Sequence, residues 1–141
     1  MADNATTAGA AANSKLVAEL LSLNQRLLES IFAADWATYE KLCDPSISCF
    51  EPEARGRLAE GMAFHKYYFD LGKPSKLPLV TMASPHVRLL GENAAVISYT
   101  RLVQKLDASG APITTVFEET RVWEKQAGGW KHVHFHRSTN G

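Results

Sequence analysis

The period of the hydrophobic pattern changes once along the chain, and that change restricts the fold more than any other feature. From Leu16 to Ile31 apolar residues recur at spacings of three and four (Leu16, Leu20, Leu23, Leu27, Ile31), joined by Val17, Leu21 and Leu28. This is a wide apolar stripe on a long amphipathic helix. Ser14 supplies an N-cap, and the helix is expected to end near Asp35. A second, short helix runs through Trp36, Tyr39 and Leu42, capped by Asp35 and stopped by Pro45. Ile47 to Phe50 reads as a short strand, and Glu60 to Asp70 as a third helix with an aromatic side. Beyond LGKPSKLPL, with its two prolines and one glycine, alternation takes over. Val80–Leu90 (bent around Pro85), Ala94–Leu106, Pro112–Lys125 and Trp130–Ser138 read as strands. The links between them are short and rich in turn residues, so neighbours should pair as antiparallel hairpins. Helices first and strands afterwards define an α+β fold, in which a long curved sheet wraps the helices.

Length and charge limit what such a fold can be. The 141 residues hold one domain and a short leader. The leader, residues 1–13, is small, Ala/Thr-rich and without large apolar side chains, which predicts flexibility. The domain proper is 14–141. Fifteen Lys and Arg cancel fifteen Asp and Glu, leaving no basic surplus for phosphates and arguing against nucleic acid as a partner. No apolar run has the roughly 20 residues of a membrane span, and no basic segment followed by an apolar core opens the chain. The expected location is cytoplasmic, away from membranes. Cys43 and Cys49 are the only cysteines and read as reduced, buried thiols.

The informative residues are charges standing where alternation calls for apolar side chains. Arg101 shares a strand face with Ala95, Ile97, Tyr99 and Val103. Glu119 and Arg121 share one with Phe117 and Trp123, and Arg137 shares one with Lys131, Val133 and Phe135. Hairpin pairing is expected to set Arg101 opposite Glu119 or Arg121, with Arg137 close on the other side. Taken singly, each arginine can snorkel to solvent from a strand end. Taken together, three guanidinium groups converge and Glu119 neutralises only one, which implies extra water or an anionic ligand. His65, on the helix carrying Phe64 and Tyr68, can face the same cavity, although a single histidine there is more often a satisfied core residue.

His132, His134 and His136 alternate along the last strand. H-x-H is a metal-chelating spacing, but a three-residue ladder is too extended to close one tetrahedron, and no other ligand is tied to this strand by spacing. No metal and no cofactor are expected. Their parity opposes Val133 and Phe135, which places all three outside the pocket, on an outer surface or a subunit interface. The chain has no G-x-S-x-G elbow, no phosphate-binding glycine loop and no kinase H-R-D or D-F-G.

Four stretches carry a family resemblance: CDPSISCFEPEARG (43–56), EGMAFHKYYF (60–69), SPHVRLLGENAAVISYTRLVQ (84–104) and EETRVWEKQAGGWKHVHFHRS (118–138). They closely resemble the association, or hub, domain of calcium/calmodulin-dependent protein kinase II, from Ser14 to Thr139 and in order. The resemblance implies the nuclear-transport-factor-2-like fold, a cone of curved sheet around a long helix enclosing a deep pocket. It implies scaffolding rather than enzyme activity: dimers assemble into a closed double ring that tethers kinase domains. It also implies a pocket for small carboxylates or acidic peptides, with Arg101 (SYTRLVQ), Arg121 (EETRVW), Arg137 (HFHRS) and His65 (AFHKYYF) as its ligand-binding residues.

The chain departs from the family in two ways. The kinase, regulatory segment and linker are missing, which leaves an excised domain or a stand-alone hub, and a leader without linker or tag signatures favours the second. The loop LGKPSKLPL is short, and Lys73 falls where a mobile aromatic residue stands in the kinases, so ligand-coupled loop motion is not expected. Two other functions stay open at this point. The superfamily also contains isomerases and dehydratases, and His65, Glu119, Tyr68 and Tyr99 offer an acid and a base. The chain can alternatively co-assemble with kinase subunits bearing the same hub. In the self-assembly reading, Leu102, Val116 and Val122 on the outer sheet face supply contacts.

Overall fold

The computed structural model of the protein describes residues 2–139, with side chains described from residue 9 onward. Helix α1 (Ala2–Phe32) is followed by α2 (Trp36–Leu42), strand β1 (Cys43–Phe50), a 3-10 turn (Pro52–Ala54), β2 (Ala59–Glu60) and α3 (Ala63–Asp70). Four long strands complete the chain: β3 (Leu79–Leu89), β4 (Ala94–Leu106), β5 (Pro112–Gln126) and β6 (Gly129–Thr139). The six strands form one sheet in the order β2-β1-β6-β5-β4-β3. β3 to β6 are the expected antiparallel meander.

The differences lie where sequence signals are weakest. α1 begins at Ala2 rather than at Ser14, so Ser14 is an exposed residue within the helix and not its cap. Alanine is the best helix former, and the Ala-rich leader has no proline to stop propagation. The helix gains nothing by burial there, since residues 9–15 are exposed. The flexibility expected of the leader falls largely on side chains outside the described residues. α2 is capped as expected, the Asp35 carboxylate accepting from Thr38 N at 3.2 Å. It ends at Leu42, because Cys43 already has extended backbone, and Pro45 stands inside β1 rather than after a helix. That proline is accommodated by a register shift between Cys43 and Ser48. β1 pairs in parallel with β6 and antiparallel with the two-residue β2, neither of which local periodicity announces. Around Pro85, β3 bends as expected, with a register shift between Ala83 and His86 and Ser84 at φ 50°.

The core lies between α1 and the inner sheet face. Leu20, Leu27, Leu28, Ile47, Ile97 and Trp123 are fully buried in it. Asn24 sits in the middle of the helix stripe and is equally inaccessible. Its Oδ1 accepts from Trp123 Nε1 at 3.0 Å, and its Nδ2 donates to Tyr99 Oη at 3.1 Å and to Met82 Sδ at 3.2 Å. One amide thus fixes the rotation of α1 against β3, β4 and β5. Removing it leaves the indole N–H buried without an acceptor, which carries a desolvation cost in addition to the lost bonds. Asn24→Ala is therefore expected to lower unfolding stability by about 2–4 kcal/mol in urea titrations, a range combining lost hydrogen bonds with the small cavity. A change below about 0.5 kcal/mol would show that the amide is not a structural pin.

Candidate functional site

Parity brings the charges to one wall. β4 turns Tyr99, Arg101, Val103 and Lys105 to the side on which β5 turns Thr115, Phe117, Glu119 and Arg121. The pairing differs from expectation: Arg101 stands opposite Phe117, Tyr99 opposite Glu119, and Ile97 opposite Arg121. Glu119 also pairs with Arg137 on β6. The guanidiniums meet Glu119 along diagonals, a distance that long side chains bridge. Together with His65 from α3 and Phe32 from α1 they line a cavity of about 260 Å³, a volume suited to a small ligand.

Glu119 is the hub of the wall. Its Oε1 lies 3.0 Å from Arg121 Nη2, accepts from Arg121 Nε at 3.1 Å and from Tyr99 Oη at 2.5 Å. Its Oε2 lies 3.0 Å from Arg101 Nη1. One carboxylate therefore serves two arginines, where the sequence led us to expect one. The third arginine has partners that sequence reasoning did not supply: Arg137 Nη2 donates to Glu53 at 2.5 Å and to Glu51 at 3.4 Å. The signal was present in CFEPE, where two glutamates follow β1 two residues apart. Only the pairing of β1 with β6 reveals that they reach Arg137.

The four proposed ligand residues differ in how far their polar atoms are already used. Arg121 is engaged at all three nitrogens, with Nε to Tyr99 and Glu119, Nη2 to Glu119, Nη1 3.4 Å from His132 Nε2, and Cζ 4.3 Å over the Phe135 ring. Burial is the largest influence and works against its charge, but Glu119, Tyr99 and Tyr39 together outweigh it and raise its pKa. Arg101 is clamped between Phe117 and Phe32, its Cζ 4.5 and 5.2 Å from their rings. Its Nε has no hydrogen-bond partner among the described residues, and the Glu119 Oε2 contact is close without being aligned as a hydrogen bond. Burial outweighs Glu119 here and pulls the Arg101 pKa down to about 10. Burial pushes the Glu119 carboxyl up, yet Arg121 and Arg101 prevail and hold it below the usual range. His65 is 5% exposed, with Nε2 3.8 Å from Cys49 Sγ and Nδ1 4.0 Å from Glu51 Oε1.

The three histidines of the last strand do not share one environment. A bulge on β6 sets Val122 opposite His134 but the next β5 residue, Trp123, opposite His132, leaving Val133 of β6 unpaired. Parity reverses there, and His132, expected outside with the other two, is fully buried, with ring centroids 5.4 Å from Trp123 and 5.5 Å from Phe135. His134 stays on the outer face with Nδ1 2.7 Å from Ser48 Oγ, and His136 is exposed. Among the described residues, Cys49, Glu51 and His65 bring metal-ligating atoms within 4.8 Å of one another. His65 turns opposite ring nitrogens to its two neighbours, and Arg137 already holds Glu51, so the trio is a polar cluster rather than a coordination shell. Both cysteines are free and buried, and burial pushes their thiols up to about 12, which keeps them protonated. Lys73 is exposed and stands outside the cavity lining.

Two histidines buried in neutral form make the fold acid-sensitive. Burial, reinforced by Arg121, lowers His65 from 6.5 to about 4 and His132 well below 6.5. Between pH 6.5 and 4 the unfolded chain therefore binds more protons than the folded one, and stability falls as the pH is lowered. The slope is up to about 1.4 kcal/mol per pH unit for each histidine. Glu51, raised by burial, takes up a proton on acidification and offsets part of the loss. Glu119, held low, adds its own loss only below about pH 4.5. Denaturation midpoints followed from about pH 7 to 5 should fall, and His65→Gln should remove about half of the slope. An unchanged slope in the variant would mean that His65 is already titrated in the fold.

The family profile described as the calcium/calmodulin dependent protein kinase II association domain matches residues 17–141. The delta subunit of calcium/calmodulin-dependent protein kinase type II from Oryctolagus cuniculus is 48% identical over 122 residues, covering 85% of this chain and 23% of that protein. This chain thus spans less than a quarter of that relative's length. The structure of the kinase II hub homology domain of Chlamydomonas reinhardtii superposes with a TM-score of 0.82 at 55% identity, covering 89% of this chain and 99% of that one. A nuclear transport factor 2-like superfamily protein from Salmonella enterica superposes with a TM-score of 0.72 at 26% identity, covering 92% and 94%. The helix cradled by a curved sheet is accordingly the nuclear-transport-factor-2-like fold, and the chain belongs to the calcium/calmodulin-dependent protein kinase II association domain family.

Proposed function

We propose that the protein is an oligomerisation hub whose dimers assemble into a closed double ring, with an arginine-lined pocket for small carboxylates. The observation that carries the assembly reading is the family match over nearly the whole domain, together with a hub homology domain that is 55% identical. The outer sheet face supports it, since Leu102 and Val116 pair across β4 and β5 and, with Val122, remain half-buried in the single chain. Such a face gains free energy by being covered. Partners are then copies of this chain, and kinase subunits bearing a hub of the same kind, because similar hubs bury similar surfaces. A cytoplasmic location fits these partners, and no helix among the described residues is long and apolar enough to cross a membrane.

The pocket reading rests on Arg101. The residue is 4% exposed, and its guanidinium shares one carboxylate with Arg121 and keeps a donor without an acceptor among the described residues. A small carboxylate supplies the missing acceptor and charge together. A proton-transfer enzyme finds less support, because Glu119 is held between two guanidiniums and Tyr99 Oη is engaged by Asn24, Arg121 and Glu119.

Native mass spectrometry at micromolar concentration should show species built from an even number of chains, larger than a dimer. A monomer under those conditions would sink the assembly reading. In thermal unfolding, butyrate at about 100 times its dissociation constant should stabilise the wild type by about 2.7 kcal/mol through linkage. Arg101→Gln should lose this response, and an equal response in both proteins would remove Arg101 from the site.

A further inference from the structure

The charges around the cavity are not evenly balanced. Arg137 is held by two carboxylates, Glu51 and Glu53, so the end near β1 carries a surplus of negative charge. Arg101 and Arg121 share the single carboxylate of Glu119. Lys105, two rungs further along the inward face of β4 than Val103 opposite Thr115, lines the same cavity and forms no ion pair among the described residues. The end formed by β4 and β5 therefore carries two positive charges beyond its own carboxylate. The cavity is polarised along its length.

That end also holds polar atoms with nothing to bond. Arg101 Nε and Thr115 Oγ1 are both buried without a hydrogen-bond partner among the described residues, and both residues line the cavity. The rings of Phe32 and Phe117 lie 5.2 and 4.5 Å from the Arg101 Cζ, so a ligand meets the guanidinium at its edge, where Nε is itself buried. Leaving such groups unmade is costly, and Arg101, opposite Phe117, and Thr115, opposite Val103, stand on a diagonal of the β4–β5 pairing from which one carboxylate can accept from both. Lys105 is exposed and lines a neighbouring depression as well as the cavity, which sets it at the opening.

We propose that Arg101, Thr115 and Lys105 form a dicarboxylate-selective subsite, in which one carboxylate accepts from Arg101 Nε and Thr115 Oγ1 and the second meets Lys105 Nζ. The inference rests on the carboxylate-pocket reading and narrows it to a class of ligand: a short dianion entering from the β4–β5 end, with its chain against Val103 and Phe117. The acidic end at Glu51 and Glu53 repels a second negative charge, so the dianion's other carboxylate is directed back toward Lys105.

Isothermal titration with glutarate and pentanoate, acids of equal carbon number, tests this on wild type, Thr115→Val, Lys105→Met and Arg101→Gln. Wild type should bind glutarate about fivefold more tightly than pentanoate, the scale of one exposed ion pair. Lys105→Met should reduce that ratio to about one, since nothing else at the opening distinguishes the acids. Thr115→Val should weaken both acids by about tenfold. The same variant should leave the melting temperature without ligand unchanged or higher, because its hydroxyl has no partner to lose; a structural threonine would lower it. Equal wild-type affinity for the two acids, or undiminished binding by Thr115→Val, overturns the subsite. Binding lost in Arg101→Gln yet unaltered in Thr115→Val and Lys105→Met overturns the subsite alone and leaves the pocket. No binding of either acid to wild type removes the pocket itself, and the subsite with it.

Discussion

A buried carboxylate shared by two buried guanidiniums governs how this molecule is put together. Moving each of these ions out of water costs several kcal/mol, and their mutual attraction repays it only where geometry and hydrogen bonding are complete. For Glu119 and Arg121 they are nearly so. Trp123 donates to Asn24, Asn24 to Tyr99, and Tyr99 to Glu119, so that a directed series of hydrogen bonds runs from the core indole to the carboxylate. Arg121 completes it with donors to Tyr99, Glu119 and His132. The cation fixes the tautomer of His132: the nitrogen facing Arg121 is the acceptor, which leaves the proton on Nδ1, facing Cys43 Sγ.

The consequence is that helix packing and pocket chemistry are one network. Asn24 belongs to α1, Tyr99 and Arg101 to β4, and Glu119 and Arg121 to β5. The position of the long helix is therefore coupled to the orientation of the carboxylate that holds Arg101. Satisfaction is not uniform along the network. Every nitrogen of Arg121 has a partner and Nε of Arg101 has none among the described residues, which separates an arginine that holds the wall together from one with a donor to spare. Residues that look equivalent by parity thus acquire different roles from how many partners the fold brings to each.

Much of the fold was legible because it depends on local rules. The α1 stripe from Leu20 to Leu28, the Asp35 cap and the hairpins joining β3 to β6 follow from periodicity and turn chemistry, which act over a few residues. The bend at Pro85 was legible for the same reason. β2 and the parallel pairing of β1 with β6 were not: β2 is only two residues long, too short to show a period, and β1 and β6 lie more than 80 residues apart, a contact that no local pattern records. Asn24 was hidden in the opposite way: a polar residue inside an apolar stripe has no visible partner until Trp123 and Tyr99 arrive from the sheet.

For the site, the sequence by itself determined that three arginines and one glutamate would face inward, because strand parity allows a side chain only two directions. The resemblance carried by its motifs determined the family. Tertiary structure decided the rest. A single bulge reversed parity at His132 and placed it in the core, since one extra residue in a strand exchanges its faces. The closing of β1 onto β6 brought Glu51 and Glu53 to Arg137, and the packing of Phe32 and Phe117 left Arg101 with an unused donor. Which charges are balanced inside a cavity depends on distances between elements remote in the chain, and these exist only once the chain has folded.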